Sequence, residues 1–198
     1  PVFVARLGVV GAGTMGGGIA MAFANAGLPV TLVDASAEAL ARGQATIARN
    51  YAQSVERGSM AAEAAAAAQA RITGTTELAA LADADAVIEA VFEELALKQR
   101  IFAELDRVAP THAILASNTS SLSIDAIAGA TARPEAVVGM HFFSPANVMR
   151  LLEVVRGRRT GAPALATAME LGRRAGKVSV LAGDAFGFIG NRMLVRYV

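Results

Sequence analysis

The chain has 198 residues, of which 54% are hydrophobic, so it is long and apolar enough to bury one sizeable core. Its formal net charge is +1 and its charged residues are scattered, which indicates no nucleic-acid partner, and no apolar run approaches the roughly 20 residues of a membrane span. Cysteine is absent, which excludes disulfides, thiolate catalysis and cysteine-ligated metals and fits a reducing compartment, so we expect a cytoplasmic protein.

Strand-like and helix-like runs alternate along the chain. The predicted strands span residues 4–10, 30–33, 72–73, 86–89, 113–116, 137–141, 151–155 and 178–181. The predicted helices span residues 15–26, 36–70 (two helices broken at 57–59), 95–108, 124–130, 164–175 and 186–198. This alternation predicts an α/β fold with a doubly wound, mostly parallel sheet, a helical insertion after the second strand and an added strand hairpin.

Several predicted helix ends carry residues suited to them. Ser36 and Ser59 are predicted N-caps, since a serine hydroxyl can accept from first-turn amides, and Gly176 suits a left-handed C-cap. The last run, 186–198, has an apolar face at helical spacing with nothing after it to pack against. We therefore expect one domain over residues 1–185 and the first helix of a second, helical domain over 186–198. The alternative is a terminal helix docked on the first domain.

A glycine-rich motif, Gly11-Ala-Gly13-Thr14-Met15-Gly16, follows the first strand and opens the first helix. In this context the first glycine permits a tight turn, the second lets the backbone approach a pyrophosphate, and the third allows close helix packing. Amides at the start of the helix then face the phosphates. The motif predicts a Rossmann-like domain in which these residues contact a dinucleotide; the alternative is a glycine-rich turn without a ligand.

Asp34 ends the second predicted strand, eighteen positions after Gly16. An acid at this place binds the adenosine ribose hydroxyls of NAD, and its charge would repel the additional phosphate of NADP. We therefore predict that NAD is the preferred cofactor. The alternative, an N-cap aspartate for the following helix, is partly compatible with that role.

His141, one of two histidines, ends a strand-like run, and Glu153 lies on the next apolar run twelve positions later. Oxidation of an alcohol by a nicotinamide requires a proton to leave the hydroxyl as hydride leaves carbon, and histidine suits that task near neutral pH. An antiparallel return of the chain would place Glu153 beside the imidazole, where it would stabilise the imidazolium. The alternative is a structural histidine. No cluster of metal ligands is evident, and none is needed.

Five stretches together resemble the L-3-hydroxyacyl-CoA dehydrogenase family. In the family's order, they are GAGTMGGGIA, VIEAVFEELALK, ASNTSSLSI, GMHFFSPANVMRLLEVV and GFIGNRM. They cover nearly the whole chain and are far more specific together than the glycine motif alone. The forms SVERGSM and DAFGFIGNRM look most like the dehydrogenase portion of multifunctional β-oxidation enzymes.

The resemblance implies roles at the matching positions. It makes His141 the catalytic base, Glu153 its carboxylate partner, and Asn191 an amide that binds at the reacting oxygen. Ser120 matches a hydroxyl that contacts substrate and nicotinamide, although it and Thr119 could instead cap the helix that follows. The positions that line the cofactor site are Glu93, Lys98, Asn118 and Ser120. For Lys98, the alternative is a charge on a helix surface.

The implied activity is NAD-dependent oxidation of (3S)-3-hydroxyacyl-CoA to 3-oxoacyl-CoA in fatty-acid β-oxidation. The implied partners are an acyl-CoA substrate and either a second copy, forming a homodimer, or the rest of a multifunctional chain. The chain departs from single-function relatives at Phe186, where they usually carry proline. Because the family's helical C-terminal domain would follow residue 198, we expect the chain alone to bind NAD but to oxidise substrate weakly. The alternatives are a dehydrogenase of sugars or small hydroxy acids and a catalytically silent NAD-binding module.

Overall fold

Eight strands pair into one sheet within residues 1–194, the part of the chain that this computed structural model describes. The strands are β1 (Leu7–Val10), β2 (Val30–Val33), β3 (Ile72–Thr75), β4 (Ala86–Glu89), β5 (Ile114–Ser117), β6 (Val137–Phe142), β7 (Leu151–Arg156) and β8 (Val178–Gly183). The helices are α1 (Thr14–Asn25), α2 (Ala37–Glu56), α3 (Ala62–Ala70), α4 (Leu95–Val108), α5 (Ile124–Ala128), α6 (Ala162–Arg174) and α7 (Gly190–Leu194). Short 3-10 turns lie at Leu78–Leu81 and Pro134–Ala136.

The sheet is doubly wound, as predicted. Its strand order is β3-β2-β1-β4-β5-β6-β7-β8. Strands β1 to β6 are parallel, β7 runs antiparallel to β6, and β8 runs parallel to β7. The chain winds outward from β1 to β3 and then crosses to β4 on the other side of β1. In open α/β sheets a ligand crevice forms at the carboxyl ends of the strands where the winding direction reverses.

Helices cover both faces of the sheet, which explains the near-continuous apolar runs in its central strands. On one face, Val9 and Ile88 pack in a cluster that includes Ile19 of α1. On the other face, Val87 packs in a cluster that includes Phe102 of α4. All five side chains are essentially buried. Burial on both faces fixes the register of the central strands, and with it the loops at their carboxyl ends.

Several predicted element ends differ from the structure, among them the start of β1 and the cap at Ser59. Strand β1 begins at Leu7 rather than at residue 4, because the amides of Ala5 and Arg6 donate to the Asp85 carboxylate instead of to a neighbouring strand. Ser59 does not cap a helix: its hydroxyl donates to the Ser54 carbonyl, and residue 61 occupies the N-cap position of α3. The predicted cap at Ser36 and the left-handed Gly176, with φ +69°, are confirmed.

The helix predicted to begin at residue 186 begins instead at Gly190, and residues 195–198 lie outside the described part of the chain. Gly187 has φ +72° and Phe188 has φ +48°, so two successive residues adopt a left-handed conformation that an α-helix cannot contain. The segment therefore turns before it becomes helical. Within residues 1–194 the structure contains no helix that is both long and apolar enough for a membrane crossing.

Candidate active site

The glycine motif forms the loop between β1 and α1, where two of its glycines allow close backbone contacts. Gly11 has φ +105°, and a Cβ there would lie 2.6 Å from the Ala90 carbonyl oxygen. A Cβ at Gly16 would collide with the Gly11 carbonyl oxygen. At Gly13, by contrast, a Cβ would meet nothing within 4 Å. The first and third glycines thus serve the packing of the turn, whereas the second borders open space that a ligand can approach.

The amino end of α1 has the character of an anion site. Gly13 occupies the N-cap position without a side-chain cap, and no acidic residue lies in the first turn, which begins with Thr14 and Met15. The first-turn amides and the positive end of the helix dipole therefore face outward without a side-chain acceptor. Together with the open space at Gly13, this arrangement fits the pyrophosphate of a dinucleotide. The individual contacts predicted for Thr14 and Met15 stay predictions.

Asp34 follows β2 and links two loops at the same edge of the sheet. Its Oδ2 accepts from the Ala12 amide at 3.0 Å, and its Oδ1 accepts from the Ser36 amide at 2.9 Å. The N-cap of α2 is Ser36, whose hydroxyl accepts from the Ala39 amide, so helix capping does not account for Asp34. The half-buried carboxylate lies beside the glycine turn and keeps further lone pairs, as an acceptor for ribose hydroxyls requires.

Glu89 and Lys98 form a buried ion pair at the carboxyl end of β4. Lys98 Nζ donates to Glu89 Oε1 at 2.5 Å and to the Val91 carbonyl at 3.2 Å, while Ser117 Oγ donates to Glu89 Oε2 at 2.7 Å. Glu89 is 0% exposed and Lys98 is 1% exposed. Lys98 is therefore not a charge on the helix surface. Glu89 was not among the predicted site residues: its position at the end of an apolar strand is visible in the sequence but does not reveal the buried lysine partner.

Glu93 holds the loop after β5 through both of its oxygens. Thr119 Oγ1 donates to Oε1 at 2.5 Å, and the amide and hydroxyl of Ser120 each donate to Oε2 at 2.9 Å. Burial raises the pKa of Glu93, but the Ser120 and Thr119 hydrogen bonds and the Lys98 charge, 3.9 Å away, outweigh it, so the pKa lies below its usual value. Thr119 Oγ1 also accepts from the Leu122 amide at 2.9 Å and closes a local turn, but Thr119 does not cap the following helix, because the N-cap of α5 is Ser123.

Asn118 joins the carboxyl ends of β5 and β6. Its side-chain Oδ1 accepts from the Phe142 backbone amide at 2.9 Å, and its backbone amide donates to the Glu89 carbonyl at 2.8 Å. Because the backbone amide requires an acceptor, the side-chain oxygen faces β6 and the Nδ2 group faces the other way. Asn118 thereby fixes the spacing between the loop that carries Ser120 and the strand that carries His141.

His141 and Glu153 are directly opposite one another in the antiparallel pairing of β6 with β7, as the hairpin prediction requires. His141 Nδ1 lies 3.6 Å from Glu153 Oε2, and it is a buried nitrogen without a hydrogen-bond partner among the described residues. The Phe143 ring lies 4.6 Å from the imidazole and the Phe188 ring 5.8 Å from it, centroid to centroid. The imidazole thus packs beside two aromatic rings, and its Nδ1 faces a buried acid.

The surroundings of His141 favour its neutral form. Burial lowers the pKa of His141 below the usual 6.5, even though the charges of Glu153 and Glu93 act in the opposite direction. A neutral imidazole near pH 7 is able to accept a proton. Once it has done so, the two carboxylates offset part of the cost of the buried cation, although burial remains the larger effect.

Glu153 also binds the segment that leads into α7. Its Oε1 accepts from the Gly190 amide at 2.8 Å, and its Oε2 accepts from the Ile189 amide at 3.4 Å. Asn191, one residue further on, donates from Nδ2 to the Ser120 carbonyl at 3.4 Å. The structure therefore brings Ser120, His141, Glu153 and Asn191 into one connected group. No set of three or more potential metal ligands is clustered within residues 1–194.

Comparison with known proteins agrees with this geometry. Residues 6–185 match the profile of the family described as "3-hydroxyacyl-CoA dehydrogenase, NAD binding domain". The chain is 46% identical over 190 residues to the peroxisomal bifunctional enzyme of Danio rerio, covering 96% of this chain and 26% of that protein. It is 41% identical to the probable 3-hydroxybutyryl-CoA dehydrogenase of Bacillus subtilis, covering 97% of this chain and 67% of that one.

A solved structure has the same fold. The 3-hydroxybutyryl-CoA dehydrogenase of Escherichia coli superposes with a TM-score of 0.92 at 44% identity, over 94% of this chain and 40% of that one. The chain spans about a quarter of the bifunctional relative. Because that Danio rerio relative is peroxisomal, the expected cytoplasmic location is contradicted and is not retained. The expectation was wrong because a lack of cysteine does not distinguish one compartment without disulfides from another.

The buried pair Lys98–Glu89 yields a stability test. Lys98→Met should lower the free energy of unfolding by about 3–5 kcal/mol, because it leaves the Glu89 carboxylate buried without a counter-charge. Urea unfolding of the chain measures this change. The double variant Lys98→Met/Glu89→Gln should recover part of the loss, since it removes the unpaired charge.

Arg42→Met is the matched control: Arg42 pairs with Glu38 in an exposed salt bridge, so its loss should have no measurable effect. If Lys98→Met and Arg42→Met changed the free energy of unfolding equally, Lys98 would not be the partner of a buried charge.

Proposed function

We propose that this chain, which belongs to the family of NAD-binding domains of 3-hydroxyacyl-CoA dehydrogenases, supplies the cofactor site and the catalytic base for oxidation of (3S)-3-hydroxyacyl-CoA to 3-oxoacyl-CoA. The observation that carries the proposal is the pairing of His141 with Glu153 on β6 and β7. This pair lies on the carboxyl side of the sheet, at the same edge as the glycine turn that follows β1. Family membership supports the substrate class, and the fold supports NAD-dependent chemistry.

Bound NAD would supply the hydride acceptor for the substrate carbon. Gly11, Gly13 and the first turn of α1 would hold its pyrophosphate, and Asp34 its adenosine ribose. Glu93 would act at the site by fixing the Ser120 loop. Lys98, which is 1% exposed, would act through its charge on Glu93.

His141 moves the proton in the proposed reaction. Its Nδ1 faces Glu153, so Nε2 is the nitrogen that accepts the proton of the substrate hydroxyl. As the O–H and C–H bonds break, the carbonyl double bond forms, and Glu153 stabilises the resulting imidazolium. Ser120 and Asn191 would position the substrate oxygen: the Ser120 hydroxyl donates to Glu93 and keeps lone pairs for a second partner, and Asn191 adjoins it. In the reverse direction the imidazolium returns the proton to the ketone oxygen.

The complete protein extends this unit in our proposal. Residues 1–185 form the NAD-binding domain, and the segment from 186 opens a second, helical domain. The large apolar side chains of Phe186 and Met193 are 76% and 60% exposed, as expected for a surface that such a domain covers. An acyl-CoA would bind between the two, in fatty-acid β-oxidation. The assembly would be a homodimer or part of a multifunctional chain.

The first test replaces the base. His141→Ala in the full-length protein should lower kcat for NADH oxidation with acetoacetyl-CoA by about 100- to 10,000-fold, because the proton transfer loses its base or acid. The affinity for NAD, measured by calorimetry, should stay within a few-fold of wild type. His112→Ala is the matched control: this other histidine is exposed and pairs with Asp85, so its loss should leave kcat unchanged.

The outcomes separate the possible functions. Loss of NAD affinity equal to the loss of kcat would assign His141 a structural role. Turnover of free hydroxy acids but not of acetoacetyl-CoA would identify a dehydrogenase of another substrate class. NAD binding without turnover of either substrate by the wild-type protein would identify a silent binding module.

The second test concerns pH. Because the pKa of His141 lies below 6.5, alcohol oxidation should keep its rate as the pH falls to that value and decline only at lower pH. The carboxylate of Glu153 raises the pKa of His141, so Glu153→Gln should move this decline to still lower pH and reduce kcat. Profiles of kcat against pH for both proteins measure the shift. A decline that moves to higher pH, or does not move, would remove Glu153 from the proton transfer.

The third test concerns cofactor choice. Asp34→Arg should raise the ratio of NADP to NAD affinity by at least about tenfold, because it removes the ribose acceptor and the repulsion of the additional phosphate. Glu38→Arg makes the same charge change on the exposed first turn of α2 and should leave the ratio near wild type. Fluorescence titration with NADH and NADPH gives both affinities. An unchanged ratio in Asp34→Arg would show that another residue selects the cofactor.

A further inference from the structure

Asp184, which directly follows β8, makes three hydrogen bonds that the proposed reaction does not use. Its Oδ1 accepts from the Ile124 amide at 2.9 Å. Its Oδ2 accepts from the Asp125 amide at 2.9 Å and from the Ser123 hydroxyl at 2.8 Å. This one carboxylate therefore ties the end of β8 to the start of α5, about sixty residues earlier in the chain.

The segment that Asp184 anchors, residues 184–191, reaches the site within seven residues. It turns at Phe188, which is 4% exposed and whose ring lies 5.8 Å from the His141 ring. Its far end is tied by Asn191 to the Ser120 carbonyl. The 184–191 segment is thus fastened at both ends to the loop of residues 120–125, and between these ends its amides bind Glu153.

The contact with Glu153 leaves little freedom for that segment. A Cβ at Gly190 would lie 2.9 Å from Glu153 Oε1 and 3.0 Å from Phe143 Cζ. The same Glu153 presents Oε2 to His141 Nδ1 at 3.6 Å. A displacement of the Gly190 amide would therefore rotate or release the carboxylate that faces the imidazole.

We propose that Asp184 is a positioning residue: by fastening the 184–191 segment to the start of α5, it sets the orientation of Glu153 against His141. This inference rests on the proposed function, because it assigns Asp184 to the same proton transfer. Asp184 does not touch the imidazole. The charged groups that act on His141 are Glu153 on β7 and Glu93 after β4, with Lys98 of α4 behind Glu93. Any change in the titration of His141 that follows from altering Asp184 therefore arises from geometry.

Asp184→Ala in the full-length protein tests the proposal, with (3S)-3-hydroxybutyryl-CoA and NAD as substrates. We expect kcat to fall by about 10- to 100-fold, because a misplacement on the order of 1 Å carries a cost of that size. The KM for NAD should stay within about twofold of wild type, since the glycine turn follows β1, far across the sheet from β8. The pH at which kcat declines on the acid side should shift relative to wild type. Asp184→Asn, which keeps one acceptor oxygen, should recover part of kcat and part of the shift.

Asp85→Ala is the matched control. Asp85 also accepts from two backbone amides, those of Ala5 and Arg6, and from one side chain, that of His112. It lies at the amino end of β4, on the edge of the sheet opposite the site. Its loss should lower stability to a similar extent and leave kcat and the pH profile unchanged.

Three outcomes decide the matter. Wild-type kcat and pH profile in both Asp184 variants, or equal effects in Asp184→Ala and Asp85→Ala, would overturn the positioning role while leaving the proposed function standing. A wild-type protein that does not turn over the substrate would instead overturn the proposed function. If Asp184→Ala does not fold, the comparison of Asp184→Asn with Asp85→Asn decides by the same readouts.

Discussion

The reversal of β7 against β6 is the constraint on which the site depends. All strands from β1 to β6 run in one direction, so their carboxyl ends form one edge of the sheet. If β7 were also parallel, its first residues would lie at the opposite edge, far from His141. The antiparallel return places Glu153 directly opposite His141 after only a short loop. Without that reversal, no acid from the following strand would face the imidazole, and Glu93 would be the remaining carboxylate that acts on its cation.

The buried acids Glu89 and Glu153 each have hydrogen-bond partners among residues 1–194, and these contacts connect the site. Glu89 is neutralised by Lys98, Lys98 lies near Glu93, and Glu93 binds the Ser120 loop. On the other side, Glu153 is bound by the Gly190 amide. Because an uncompensated buried carboxylate is costly, each of these groups constrains its neighbours in position as well as in charge. The loop after β5 is consequently held from both sides, by Glu93 and by the segment that ends at Asn191.

The sequence predicts the strands well because burial on both faces leaves long apolar runs, and it predicts the glycine turn because steric needs there are local. The paired acid at Glu153 was also within reach, since a short loop after His141 favours an antiparallel return. The role of Glu89 could not be predicted, because an acid that ends an apolar strand looks the same in the sequence whether or not a lysine nine residues later pairs with it. The helix start at 186 was wrong for a related reason: the left-handed Phe188 is imposed by packing against His141 rather than by local preference.

That left-handed phenylalanine shows how the segment after β8 differs from an ordinary helix start. A non-glycine residue at φ +48° is unfavourable by itself, so it persists only where the surroundings require it. Here the requirement comes from three directions: the Asp184 hydrogen bonds before the turn, the ring of Phe188 packed beside the imidazole, and the Glu153 carboxylate on the amide of Gly190. A residue that is strained and buried beside His141 is held there by its surroundings, because a merely connecting loop would relax to an unstrained conformation.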